Sequence, residues 1–238
     1  MRRQIIIGPD TKIVYLGGRP PRMVLLLLGL QIGLFLVWAF ADGPAWVALH
    51  IGASAAQCWG QLELWQPATA LFIHLGSRSM LLNALTLWLF GSPLERWWGG
   101  RRLLIFWLVT GILGLMFGVL VGLLQPAYVL SGSGGAAVAL MVAMALLFPR
   151  HLVFFYGVLP LQAKHFSLFL LGFTVLGNLF SQSYLEIALE VGGGAAALFF
   201  LLRRSRPSAA SAVTDKAKRK LRLVSDDKVK KDSKRYMN

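Results

Sequence analysis

Apolar residues in this chain come in long blocks rather than in strand-like alternation. Six runs stand out, at 23–41, 77–97, 103–124, 132–148, 166–181 and 185–202. A bilayer core takes about 20 apolar residues per helix, so each run is predicted to be a membrane helix. Pro149 ends the fourth, and Arg203-Arg204 follows the sixth. Between the first two lies a long connection, 42–68, holding Asp42, Pro44, Trp46, Trp59 and Trp65. It is too polar to span and too apolar to be free coil. Tryptophan suits the headgroup level, so this loop is predicted to lie half-immersed beside the bundle.

Composition agrees with the blocks. The chain has 238 residues, 56% hydrophobic and 14% charged, with a mean hydropathy of +0.63. An ordinary soluble domain does not carry that much apolar surface. The expected class is all-α, a polytopic membrane protein of six helices. Residues 1–22 form a polar leader and 23–202 the membrane domain. Residues 203–238 form a basic tail, read as disordered. Met1-Arg2-Arg3 with the later Ala39-Phe40-Ala41 mimics a signal peptide. The apolar run behind it is too long for one and reads as a retained anchor. Ile5–Ile7 and Ile13–Tyr15 suit a short hairpin or an interfacial segment. Cys58 is the single cysteine and has no internal disulfide partner.

Charge sharpens the topology. The net charge is +14, and from Arg203 onward 13 Lys/Arg against 4 Asp place +9 of it in the tail. Arg96 closes run two and Arg101 and Arg102 follow it before run three, while Arg150 and Lys164 fall between runs four and five. The intervening loops hold no basic residue apart from Arg78 at the start of the second run. By the positive-inside rule both ends are expected in the cytoplasm, and a bacterial inner membrane is the expected location. Lys216-Ala217-Lys218-Arg219-Lys220-Leu221-Arg222 in the tail would attract anionic lipid or dock a cytoplasmic partner. No aromatic residue interleaves with these charges until Tyr236, so nucleic-acid binding has little support.

The candidate chemistry sits in Ser131-Gly132-Ser133-Gly134-Gly135-Ala136-Ala137-Val138-Ala139-Leu140, which opens the fourth run. It resembles the Gly-x-Ser-Gly helix start of rhomboid intramembrane serine proteases. Four further stretches are similar to that family in order and spacing. They are Trp65-Gln66-Pro67 through His74; Asn83 followed by Phe90-Gly91-Ser92-Pro93-Leu94-Glu95; Phe148-Pro149 through Leu159-Pro160; and Glu190-Val191-Gly192-Gly193-Gly194. The resemblance implies a Ser–His pair from helices four and six, with polar groups on helix two stabilising the oxyanion.

This chain departs from that pattern at both catalytic positions. With Gly132 as the first motif glycine and Gly135 as the last, Gly134 stands at the nucleophile position. Sliding one residue nominates Ser133 instead, but Ser131 then replaces the first glycine and the Ala139-Leu140 match is lost. Glu190 stands where the family reads histidine, and the four histidines, His50, His74, His151 and His165, all lie outside run six. His74 and Asn83 match the oxyanion set, while Ser79 replaces a second family histidine. A carboxylate within a membrane helix costs about 2.5–3.5 kcal/mol on insertion scales. Glu190 is therefore either a binding or proton site, or a hydrogen-bonded group near the outer surface with Glu186 one turn away. His74, Asn83 and Ser133 are its candidate partners.

His74 and Asn83 are expected as relics bonding helices two, four and six. Glu95 is expected as an ion pair with Arg96 or Arg101. Gly111, Gly114, Gly118 and Gly122 and Gly192–Gly194 suit close helix packing. No cofactor or metal is expected, since nothing has ligand spacing. The expected function is a non-catalytic rhomboid-like protein that binds transmembrane segments of clients, in quality control or as an adaptor to an ATP-dependent protease. The alternatives are an atypical protease using Ser133 and a small channel or transporter centred on Glu190.

Overall fold

The structure, a computed structural model, describes residues 13–15, 19–40, 45–149, 152–155 and 159–204. The chain divides into two units, Met1–Phe199 and Phe200–Asn238. Of the second, the described part is the end of the last helix. The hairpin residues Ile5–Ile7, His151 and the tail beyond Arg204 lie outside the described residues.

Helices occupy all six apolar runs. They are α1 (Arg22–Phe40), a run made of α4 (Ser77–Thr86) and α5 (Ser92–Trp98), α6 (Gly100–Val121), α7 (Gly134–Leu147), α8 (Ala163–Phe180) and α9 (Tyr184–Arg204). Four stretches, Arg22–Phe40, Gly100–Leu124, Ala163–Phe180 and Tyr184–Arg203, are long and apolar enough to cross a membrane. The other two differ for local reasons. Leu87–Gly91 between α4 and α5 is a widened turn. Pro93 lacks an N–H and would crowd the Leu89 carbonyl in a regular helix, so the backbone opens just before it. The Ser92 hydroxyl bonds the Trp88 carbonyl there at 2.6 Å. Helix α7 has 14 residues, about 21 Å at 1.5 Å per residue, against ~30 Å of hydrocarbon.

Helix α7 is central. Gly135 through Met141, with Ala143 and Met144, are buried, the mark of a helix covered on every side. Glycine makes this closeness possible. A side chain at Gly114 of α6 would stand 2.8 Å from the Leu189 carbonyl and 3.2 Å from Gly135 Cα. One at Gly193 of α9 would collide with the Gly135 backbone. The expected glycine seams on α6 and α9 thus meet on the start of α7.

Helix α7 begins at Gly134, two residues after the predicted start, because Gly132 has φ +90°, outside the helical region. Helix α8 begins before Lys164 and His165, which join its first turn rather than the preceding connection.

Glu95 is structural in a way the sequence did not suggest. Its carboxylate accepts from Met23 N at 3.0 Å and Val24 N at 2.8 Å, capping the start of α1 where orphan amides and the helix dipole favour an anion. Arg96 instead donates to the Arg19 carbonyl at 3.0 Å.

The first connection is ordered around Gln66. Short helices α2 (Ala45–Ile51) and α3 (Gln66–Ala70) flank a wide turn at Ala56–Gly60. The Gln66 amide donates to the Leu49 carbonyl and to Glu63, and its oxygen accepts from Ser54 N at 3.0 Å. Glu63 also pairs with His50 at 2.7 Å. Trp59, Leu62, Leu64 and Trp65 remain exposed, an apolar surface suited to the headgroup level. Ala53 and Leu130 exchange backbone hydrogen bonds, fixing the loop to the start of the α7 segment.

A small sheet supplements the helices. Strand β1 (Ile13–Tyr15) pairs in parallel with β2 (Leu152–Phe155), and β2 pairs antiparallel with β3 (Leu159–Gln162). Among the described residues, Ile13–Tyr15 thus pairs with a segment distant in sequence. Pro160 sits in an outer strand, where proline is tolerated.

Candidate functional site

The site forms where the turn before α7 meets α4, α8 and α9. Gly132 N donates to the Ala70 carbonyl at 2.8 Å, and Leu75 N donates to Ser131 Oγ at 3.4 Å. These bonds seat the turn against the connection that carries His74. A side chain at Gly132 would stand 3.0 Å from the His74 ring and 3.4 Å from Asn83 Nδ2. Both the positive φ and this approach require glycine.

His74 and Asn83, predicted as a pair, are together. The ring is fully buried, and Asn83 Nδ2 lies 3.2 Å from His74 Nε2 and 3.3 Å from Ser79 Oγ. Burial pushes the His74 pKa down to about 4, and the nearby Phe72 carbonyl offsets only part of that. The imidazole is held neutral. Its bonds join two neighbouring chain segments; among the described residues the pair makes no hydrogen bond to α7 or α9.

The two serine registers separate in space. Ser133 is buried, and its Oγ accepts from Gln31 Nε2 of α1 at 3.0 Å. Gly134 lines a cavity of about 270 Å³ between α4, α8 and α9. A side chain there would meet Leu189 Cδ2 at 3.0 Å and Glu190 Cγ at 4.0 Å. Positions 134 and 190 thus lie close together, while the Ser133 hydroxyl is turned toward α1. Among the described residues no serine hydroxyl hydrogen-bonds a histidine ring.

Glu190 is buried, 8% exposed. Its Oε1 accepts from Asn178 Nδ2 of α8 at 2.8 Å, while Oε2 is buried with no partner among the described residues. The partner is Asn178 rather than His74, Asn83 or Ser133. Which face of α8 meets α9 depends on helix rotation and crossing, which a single run does not encode. Asn178 was nonetheless visible as an isolated amide in an apolar run, as was Gln31, the one amide between Met23 and Ala41. Glu186, Arg78 and Tyr128 also line the cavity. The Arg78 guanidinium donates to Ser181 Oγ at 3.5 Å. Burial and the neighbouring Glu186 push the Tyr128 phenol up.

Glu190 borders a second space. An apolar groove of about 310 Å³ runs between α7, α8 and α9, lined by residues such as Val138, Val142, Leu171 and Leu198, with Glu190 at its edge.

Comparison with known proteins agrees with this layout. The family model of the Rhomboid domain matches residues 61–203. The chain is similar to the rhomboid protease GluP of Bacillus subtilis (strain 168), 30% identical over 103 residues, which cover 42% of this chain and 20% of that protein. The apolar helices and the family match together make it an integral, multi-pass membrane protein. The chain belongs to the rhomboid family.

Proposed function

We propose that this protein is a rhomboid pseudoprotease, a membrane protein that holds transmembrane segments of clients without cutting them. The observation behind this reading is the pair of residues at positions 134 and 190. Gly134 faces Glu190 across about a side chain's width, so the place of the nucleophile has no hydroxyl and the place of its base has a carboxylate. A carboxylate can accept a proton, but without a hydroxyl at 134 it has nothing to activate. The alternative is an atypical protease using Ser133, here bonded to Gln31, or another group. Resemblance to a relative named as a protease is what favours that second reading.

Helices α1 and α8 are the least covered spans, 17% buried each, and α8 borders the cavity. Lateral entry of a client beside α8 fits that exposure. In this reading the loop charges place both ends in the cytoplasm of a bacterial inner membrane. The basic tail holds anionic lipid or an ATP-dependent protease, and the client role is quality control or handover. In-cell photocrosslinking from α4 and α8 tests client binding. Adducts with intact transmembrane segments are the expected result; adducts confined to cleaved fragments would indicate an active protease.

A further inference from the structure

Glu190 stands where the polar cavity and the apolar groove adjoin, since it lines both. A client helix laid in the groove would pass beside this carboxylate. The cavity also contains Glu186, one turn earlier on α9. Its described cation, Arg78, lies against Ser181 and Gly177 at the end of α8 and forms no ion pair with either carboxylate among the described residues. Two carboxylates against one guanidinium leave an excess of acid. Asn178 satisfies Oε1 of Glu190, while Oε2 is buried and, among the described residues, unpartnered. Ionisable groups at membrane depth are expensive unless paired, so this oxygen is a vacant acceptor next to an apolar seat.

We propose that the site selects client transmembrane segments carrying a lysine or arginine, whose basic head enters the cavity to meet Glu190 and Glu186 while its apolar neighbours line the groove. This deepens the client-binding reading and rests on it. Long basic side chains fit such a seat, because the stem stays in apolar surroundings while the charged end reaches the polar site.

The full chain is reconstituted in vesicles of phosphatidylcholine and phosphatidylglycerol, which carry no primary amine. Binding of three labelled leucine-rich transmembrane peptides is then measured, with lysine, leucine or glutamate at the same buried position. The lysine peptide is expected to bind about tenfold more tightly than the leucine one, a modest gain for a polar contact between membrane helices, and the glutamate peptide most weakly. Glu190→Gln should erase the preference for lysine over leucine, with Glu186→Gln reducing it in part. Equal binding of all three peptides to the native protein overturns the selectivity while leaving client binding intact, and needs no variant to read. Binding of none of them overturns client binding and the selectivity together.

Discussion

At the residue scale, the account turns on what a few side chains can and cannot reach. Gly132 combines φ +90° with the His74 ring at 3.0 Å from a would-be Cβ. Gly132→Ala should therefore destabilise the protein by about 1–3 kcal/mol, read as a lower thermal midpoint in detergent. His74 supplies a pH signature. Its pKa is about 4 in the fold against 6.5 for the free group, so the unfolded chain binds the proton more readily. Its contribution to stability is complete above pH 6.5 and declines as pH falls through that value toward 4. The thermal midpoint should drop between pH 7.5 and 5, and His74→Gln should shrink the drop. The anomaly at Glu190 and the glycine at 134 were legible in the sequence, because an ionisable residue in an apolar run and a missing hydroxyl are both local facts. The Asn178 partner and the turning of Ser133 toward Gln31 were not, because each depends on how helices distant in sequence rotate against one another.

At the element scale, small residues decide the packing. The start of α7 is pressed between α6 and α9 where Gly114, Gly135 and Gly193 meet. In lipid, helix association depends on such close van der Waals contact rather than on a solvent-driven effect. Gly193→Ala should force α9 away from α7 at an overpacking cost of about 1–3 kcal/mol. Unfolding of the purified variant in detergent checks this, and Gly172→Ala, at a position with no neighbour within 4 Å, is the matched control. The apolar runs gave the helix positions to within a few residues because hydrophobic length is what the bilayer demands. The widened turn before Pro93 and the late start of α7 escaped that reading, since both reflect single backbone positions inside otherwise continuous runs. The sheet escaped it too: Ile13–Tyr15 pairs with Leu152–Phe155, a contact that no local pattern announces. Glu95 caps α1 instead of forming the expected ion pair; a capping carboxylate and an ion pair look alike in a sequence with arginines nearby.

At the scale of the whole molecule, a rhomboid scaffold surrounds a cavity whose facing positions are Gly134 and Glu190. His74 and Asn83, which the family resemblance assigns to an oxyanion, lie together beside the turn at Gly132. What the proposal removes is the nucleophile. The most direct measurement is serine-reactive fluorophosphonate labelling of the purified protein in liposomes, alongside a transmembrane reporter. The native chain should show no labelling above the Ser133→Ala variant and leave the reporter whole. Labelling and reporter cleavage that both vanish in Ser133→Ala would contradict the account.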